Sequence, residues 1–185
     1  YEITTRLVGS EMCIRDRRRG YALELAVDFV RMEYTRHRFW EKDDTPVVPL
    51  KPQTLEDVIG TWPQGKINVR IGDYMFRPHQ KWTITAVPNG GGYLGGPYYK
   101  IVIEGTNRAL AATAGAEIVT VPEFTGAPEQ LWRIDQLTDG TYRIMPKKVP
   151  GTDKELVLVS VGDSTPSLDI FDMNSDNAKW NFRDH

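Results

Sequence analysis

The chain has 185 residues, a length that suits one domain with an appendage or one full all-β domain. Apolar residues make up 40% of it, and its formal net charge is −2. The charge argues against a dedicated nucleic-acid-binding protein, which usually carries a strong basic excess, and no apolar stretch approaches the roughly 18 residues of a membrane-spanning helix. The one cysteine, Cys13, excludes an internal disulfide framework and a cysteine-rich zinc site. We expect a soluble chain without membrane insertion, either cytoplasmic or secreted without disulfides.

The first 20 residues contain a charged run at residues 15–19 and no apolar period. Residues 7–17 resemble a peptide that recurs in unrelated proteins where sequencing-adapter bases have been translated. We therefore predict that residues 1–20 are a disordered or artefactual tail. A basic arm for nucleic acid or anionic lipid is the alternative.

Residues 21–44 fit two patterns. Their apolar residues alternate with period 2 at first, as in a strand, whereas the composition favours a helix. We predict a helix that extends to about Phe39. Three prolines at every third position, from Pro46 to Pro52, then indicate an extended polyproline II connector. Residues 21–52 are therefore predicted to be a helix plus a proline-rich linker.

Residues 53–185 consist of short segments rich in β-branched and aromatic residues, separated by clusters of Gly, Pro, Asn and Asp. This pattern is typical of strands and turns. A motif centred on tryptophan occurs three times, at Trp82, Trp132 and Trp180. The first two copies read Gln-x-Trp-x-Ile, and the third is Ala-Lys-Trp-Asn-Phe at residues 178–182. Such self-similarity predicts a repeat architecture.

Each motif closes a unit that we interpret as four strands. One such unit leaves its edges unpaired, whereas three units can pool one core and pair their edges. The Trp and the apolar residue two positions later face the same side of a strand, so we predict that the three tryptophans share one core. The predicted strands are 98–103, 108–113, 116–122 and 131–135 in unit two, 141–145, 155–160, 167–172 and 179–183 in unit three, and most clearly Ile67–Ile71 and Tyr74–Phe76 in unit one.

The repeat resembles two known families. Residues 98–103, 107–111 and 129–132 resemble the ricin-B-like β-trefoil lectins, which carry Gln-x-Trp repeats. Residues 132–144 are also similar to the fungal β-trefoil protease inhibitors of the cospin and mycocypin type. Both resemblances imply that residues 53–185 form an all-β domain, a β-trefoil of three four-stranded repeats with pseudo-threefold symmetry.

The lectin resemblance implies a sugar site with three parts: an Asp near the second strand, an aromatic ring, and an Asn or Gln close to the Trp motif. These groups accept bonds from hydroxyls, stack on the apolar face of the sugar, and orient it. Unit two departs from the pattern, because Ala111 follows Leu110 where the family has Leu-Asp, and Glu129 replaces the Asn.

Unit three also lacks an Asp in its second strand, but nearby residues supply the three groups. We predict that Asp163, Phe171 and Asn177 bind carbohydrate there. Unit one offers Asp73, Tyr74 and the pair His79-Gln80, in a sequence too irregular to carry a site over by motif.

The inhibitor resemblance implies loops that a rigid barrel presents to a protease. The candidate loops are the glycine-rich residues 88–97 and the basic residues 147–151. Lys147 or Lys148 would then enter the acidic specificity pocket of a trypsin-like enzyme.

The sequence contains no Gly-x-Ser-x-Gly, phosphate-binding loop or His-Glu-x-x-His motif. We therefore predict a non-catalytic carbohydrate-binding module that has no catalytic residues and takes no cofactor or metal, with a carbohydrate or glycoprotein as its partner and no nucleic acid. One alternative is a protease inhibitor, whose partner is a protease. The other is a degenerate trefoil with a structural or assembly role. The oligomeric state and the compartment stay open.

Overall fold

The computed structural model describes residues 11–26, 65–93, 96–162 and 164–183. These residues form twelve strands and three 3₁₀ helices, and each 3₁₀ helix ends two residues before one of the repeated tryptophans. The strands are β1 (Glu11–Asp16), β2 (Ala22–Leu25), β3 (Ile67–Gly72), β4 (Trp82–Tyr93), β5 (Gly96–Ile103), β6 (Ala109–Ala112), β7 (Ile118–Val121), β8 (Trp132–Gln136), β9 (Tyr142–Pro146), β10 (Val157–Val161), β11 (Thr165–Asp169) and β12 (Trp180–Arg183). The 3₁₀ helices are Pro78–Gln80, Pro128–Gln130 and Asp176–Ala178.

Six of these strands close into a barrel. They pair antiparallel in the cyclic order β1, β4, β5, β8, β9, β12 and back to β1, so the barrel has no unpaired edge. The other six form the hairpins β2–β3, β6–β7 and β10–β11. Each unit therefore gives its first and last strands to the barrel and its middle two to a hairpin.

The three hairpins contact one another in a second layer. Strand β3 pairs with β7, the Leu168 amide of β11 donates to the Ala116 carbonyl at 3.1 Å, and the Ile71 amide of β3 donates to the Ser164 carbonyl at 3.0 Å. The predicted β-trefoil architecture is confirmed, as are the predicted strands of units two and three apart from shifts of one to three residues at their ends.

One hydrogen bond, repeated three times, joins the barrel to the hairpins. Each tryptophan is 0% exposed and lies in one core cluster with the apolar residue two positions later in its strand. The predicted shared core is therefore confirmed. Each indole nitrogen donates to a leucine carbonyl in the second strand of its own unit: Trp82 to Leu23 at 2.8 Å, Trp132 to Leu110 at 2.9 Å, and Trp180 to Leu158 at 3.0 Å.

The first unit begins earlier than the sequence predicts. Residues 11–16, which fall in the predicted disordered or artefactual tail, form β1 and pair with both β12 and β4. Residues 22–25, which fall in the predicted helix, form β2. Pairing outweighs local helix propensity here, because it buries Leu23 and Leu25 completely. The rest of the predicted helix and the proline-rich linker, at residues 27–52, lie outside the described residues, as do residues 53–64.

One predicted strand in unit one is wrong. Residues 74–76 lie in a loop rather than in a strand, because the side-chain oxygen of Gln80 accepts a hydrogen bond from the Met75 amide at 2.8 Å and so takes up the donor that a strand partner would need.

The buried tryptophans give a test of this core. Trp132→Ala should lower the free energy of unfolding by about 3–5 kcal/mol, because it removes a large buried side chain. Trp132→Phe should lower it by roughly 1–3 kcal/mol, because it leaves the Leu110 carbonyl buried without its donor. Denaturant titration of both variants measures this, and a loss below about 1 kcal/mol for Trp132→Ala would contradict the shared core.

Candidate functional site

The glutamine of each Gln-x-Trp motif holds the loop that precedes it. In unit one, the Gln80 side chain accepts from the Met75 amide at 2.8 Å and donates to the Asp73 carbonyl at 2.7 Å. In unit two, the Gln130 side chain accepts from the Thr125 amide at 2.7 Å. These hydrogen bonds therefore fix the backbone of the loop that precedes each motif. A side chain that binds a ligand would project from that loop.

Each of these loops also carries an aromatic ring with a cation over it, and unit three repeats the arrangement. The cations stand on the first strand of the same unit, so each pair ties a loop to the barrel. The pairs are Arg15 over Tyr74 at 4.7 Å, Lys100 over Phe124 at 5.3 Å, and Arg143 over Phe171 at 5.0 Å, measured to the ring centroid.

Unit three contains the residues that the sequence predicts as the sugar site. Phe171 is half-buried and packs on a small apolar cluster that includes Ala178, next to Asn177. The side-chain oxygen of Asn177 accepts from the Ser175 hydroxyl at 2.7 Å. Asp163 lies outside the described residues. The structure thus brings the ring close to the amide-bearing segment, and the complete trio stays a prediction.

Unit one carries a carboxylate that sequence reasoning missed. The three leucines that accept the indole hydrogen bonds mark equivalent positions, and the residues after them are Glu24, Ala111 and Val159. Of these three residues only Glu24 is acidic, and it lies where the lectin resemblance places an Asp. The sequence signal for this carboxylate is the dipeptide Leu23-Glu24, which corresponds to the Leu-Asp of the lectin family. It is missed because the sequence predicts a helix at these residues instead of the second strand of a unit.

The Glu24 carboxylate is 5% exposed and has three partners. One oxygen accepts from Arg70 Nε at 2.8 Å and lies 3.0 Å from His79 Nε2, and the other accepts from Gln80 Nε2 at 2.9 Å. Burial raises the pKa of Glu24, but the hydrogen bonds from His79, Arg70 and Gln80 outweigh it and lower that pKa overall. Glu24 is therefore ionised at neutral pH and orients Arg70.

His79 is buried beside this carboxylate. Burial lowers the pKa of His79 although the hydrogen bond and charge of Glu24 oppose the shift. The ring is therefore neutral at pH 7, with its Nε2 hydrogen donated to Glu24.

The first-unit loop, residues 73–77, presents an aromatic surface and is linked to this network through the Gln80 side chain. Phe76 is 68% exposed, and its ring centroid lies 4.6 Å from that of Tyr74. The backbone of Phe76 has φ 58°, a left-handed conformation that unit two fills with Gly126 at φ 85°, also six residues before the Trp. A non-glycine residue there costs about 1–2 kcal/mol, and backbone strain of this kind clusters at functional positions.

The lysines proposed for protease inhibition have partners within the chain. Lys147 Nζ donates to the Gly90 carbonyl at 2.7 Å and stands 5.1 Å from the centroid of the Tyr98 ring. Lys148 Nζ lies 3.4 Å from a carboxylate oxygen of Asp153. These contacts tie the basic loop to its surroundings and do not favour insertion of either lysine into a protease pocket.

In the part of the chain that the structure describes, no group of three or more His, Cys, Asp and Glu side chains is arranged to hold a metal ion. The same residues include no helix of the length and apolarity needed to cross a membrane.

Comparison with known proteins agrees with this geometry. Residues 78–152 match the family model described as ricin-type beta-trefoil lectin domain-like. In fold, this chain is a β-trefoil. The family match spans the end of unit one, all of unit two and the start of unit three, and comparison with curated proteins found no match.

Solved structures share the fold at low sequence identity. A mosquitocidal holotoxin matches with a TM-score of 0.62 and 15% identity over 96% of this chain, which spans only 17% of the toxin. The designed threefold-symmetric protein ThreeFoil matches with a TM-score of 0.58 and 18% identity, over 95% of this chain and 99% of its own. SeviL, solved with an asialo-GM1 saccharide, matches with a TM-score of 0.51 and 14% identity, over 95% of this chain and 97% of its own.

The buried pair of His79 and Glu24 predicts a pH dependence. A lowered pKa of His79 means that the unfolded chain binds more protons below its ordinary pKa of 6.5, so stability should fall as the pH drops from 6.5. The Glu24 contribution should be lost only below its ordinary pKa of 4.5. In His79→Gln, denaturant titration should show a flatter profile between pH 7 and about pH 5. An unchanged slope in that window would contradict the assignment.

Proposed function

We propose that this chain is a non-catalytic carbohydrate-binding module whose principal site lies in unit one. The observation that carries the proposal is Phe76, an exposed ring on a strained backbone beside Tyr74, in a loop that Gln80 links to the ionised Glu24. The ricin-B-like match over residues 78–152 and the saccharide in the SeviL structure support the same class of ligand.

The first-unit loop has the chemistry that a sugar needs. The Phe76 ring can stack on the apolar face of a pyranose. Arg70, whose side chain is 45% exposed, can donate to hydroxyl oxygens. Its guanidinium is held in place by the ion pair with the buried Glu24, at 2.8 Å. Because Gln80 already pins the loop, little conformational entropy is lost on binding.

Unit three is proposed as a second, weaker sugar site. Phe171 packs on the small apolar cluster that includes Ala178, the neighbour of Asn177 in the chain. Arg143 lies over one face of the ring, and the Ser175 hydroxyl donates to the amide oxygen of Asn177. A sugar there would depend on Asp163 for its hydroxyl acceptor.

Replacing Phe76 with glycine separates binding from folding. Phe76→Gly should weaken binding of the preferred glycan at least tenfold, since it removes the stacking ring, and should raise the free energy of unfolding by up to about 1 kcal/mol, since glycine suits a positive φ. A glycan array identifies the ligand, and calorimetric titration of wild type and variant measures the affinity.

Met173→Ala is the matched control, because Met173 is 72% exposed in the corresponding loop of unit three. It should bind as wild type does. If Phe76→Gly binds unchanged, the first-unit site is wrong. Asp163→Ala and Phe171→Ala then test unit three, and a loss of binding in both of these variants would move the principal site there.

A further inference from the structure

Two insertions interrupt the threefold pattern, and they meet. Strand β4 has twelve residues where its counterpart β8 has five, so the β4–β5 hairpin extends beyond the barrel. The connection from β9 to β10 covers residues 147–156, whereas the corresponding connection in unit two covers only residues 104–108. Lys147, in the second insertion, donates to the carbonyl of Gly90 in the first at 2.7 Å. In repeat proteins, insertions of this kind often gather on a binding face.

A pocket of about 260 Å³ lies where the insertions meet. Its lining includes the apolar side chains of Met145 and Val149, 8% and 2% exposed, and the half-buried ring of Tyr98. Pockets for drug-sized ligands measure roughly 300–1,000 Å³, so this one suits a group no larger than one sugar ring. We call it the insertion pocket.

The walls of the insertion pocket carry an excess of positive charge. Its lining includes four cationic side chains and two carboxylates, and Lys148 pairs with one of those carboxylates. Lys147 is held by a neutral carbonyl and by the face of Tyr98, so neither contact cancels its charge. The cations are Arg133, Lys147, Lys148 and Lys154, and the carboxylates are Asp153 and Glu155.

Arg133 is paired with an acid outside the lining, because Asp135 accepts from its Nε at 3.0 Å. Lys148 is paired with Asp153. The excess positive charge of the pocket therefore comes from Lys147 and Lys154, against one further carboxylate of the lining, Glu155.

We propose that the insertion pocket binds an acidic saccharide, with the carboxylate or sulfate of one sugar ring between Lys147 and Lys154 and the ring against the face of Tyr98 opposite Lys147. Cations of this kind bind oxyanions through charge-assisted hydrogen bonds, and the aromatic face adds stacking that a bare ion does not use. The site is separate from the first-unit loop, so its success or failure does not depend on neutral-sugar binding there.

Calorimetric titration at low salt tests the proposal with four probes: glucuronate, galactose 6-sulfate, glucose and inorganic sulfate. The two acidic sugars should bind at least tenfold more tightly than glucose and than inorganic sulfate. Phe76→Gly should leave this binding unchanged. Equal binding of glucose would overturn the role of charge, and equal binding of inorganic sulfate would overturn the role of the sugar ring.

Three variants locate the binding. Lys154→Gln should weaken both acidic sugars several-fold, and Glu155→Gln should strengthen them several-fold, because the two changes alter the pocket charge in opposite directions. Lys66→Gln, at an exposed lysine that does not line the pocket, is the matched control and should bind as wild type does. Unchanged affinities in both pocket variants would overturn the site, and circular dichroism confirms that all three are folded.

Discussion

The structure depends on a hydrogen bond that is formed once in each unit, from a buried indole nitrogen to a leucine carbonyl. It ties the last barrel strand of a unit to the second strand of the same unit, inside a core from which water is excluded. A buried donor without an acceptor is costly, so this bond fixes the register between barrel and hairpin. The same bond brings the residue after each leucine and the loop before each tryptophan to one place.

Substitutions around that repeated bond make the three units different. Glu24, Ala111 and Val159 occupy the same position, and only the first can accept from hydroxyls or orient an arginine. Phe76 occupies a left-handed backbone position that Gly126 fills without strain. The scaffold tolerates these differences because none of these residues contributes to the indole bond. In our proposal, binding is therefore concentrated in unit one and in the insertions.

The sequence predicts most of units two and three, because their strands are short, local and closed by a tryptophan motif. It does not predict β1 and β2, since β1 pairs with β12 across 170 residues, as in Cys13 with Arg183, and local periodicity cannot show such a partner. Because the sequence predicts that Leu23 lies in a helix, it does not indicate Glu24 as the carboxylate of a second strand, and the proposed first-unit site is missed. Phe171 and Asn177 stay predictions that rest on their place before the Trp180 motif, whereas the strain at Phe76 is visible only in the backbone.

Hydrogen exchange of the indole protons, followed by NMR with each signal assigned through a Trp→Phe variant, tests the threefold bond most directly. We expect the indole protons of Trp82, Trp132 and Trp180 to exchange only through global unfolding, with equal protection in all three units. Fast exchange at Trp82 beside slow exchange at Trp132 and Trp180 would contradict the threefold bond, because β2 would then not be paired and the Glu24 network would not be assembled.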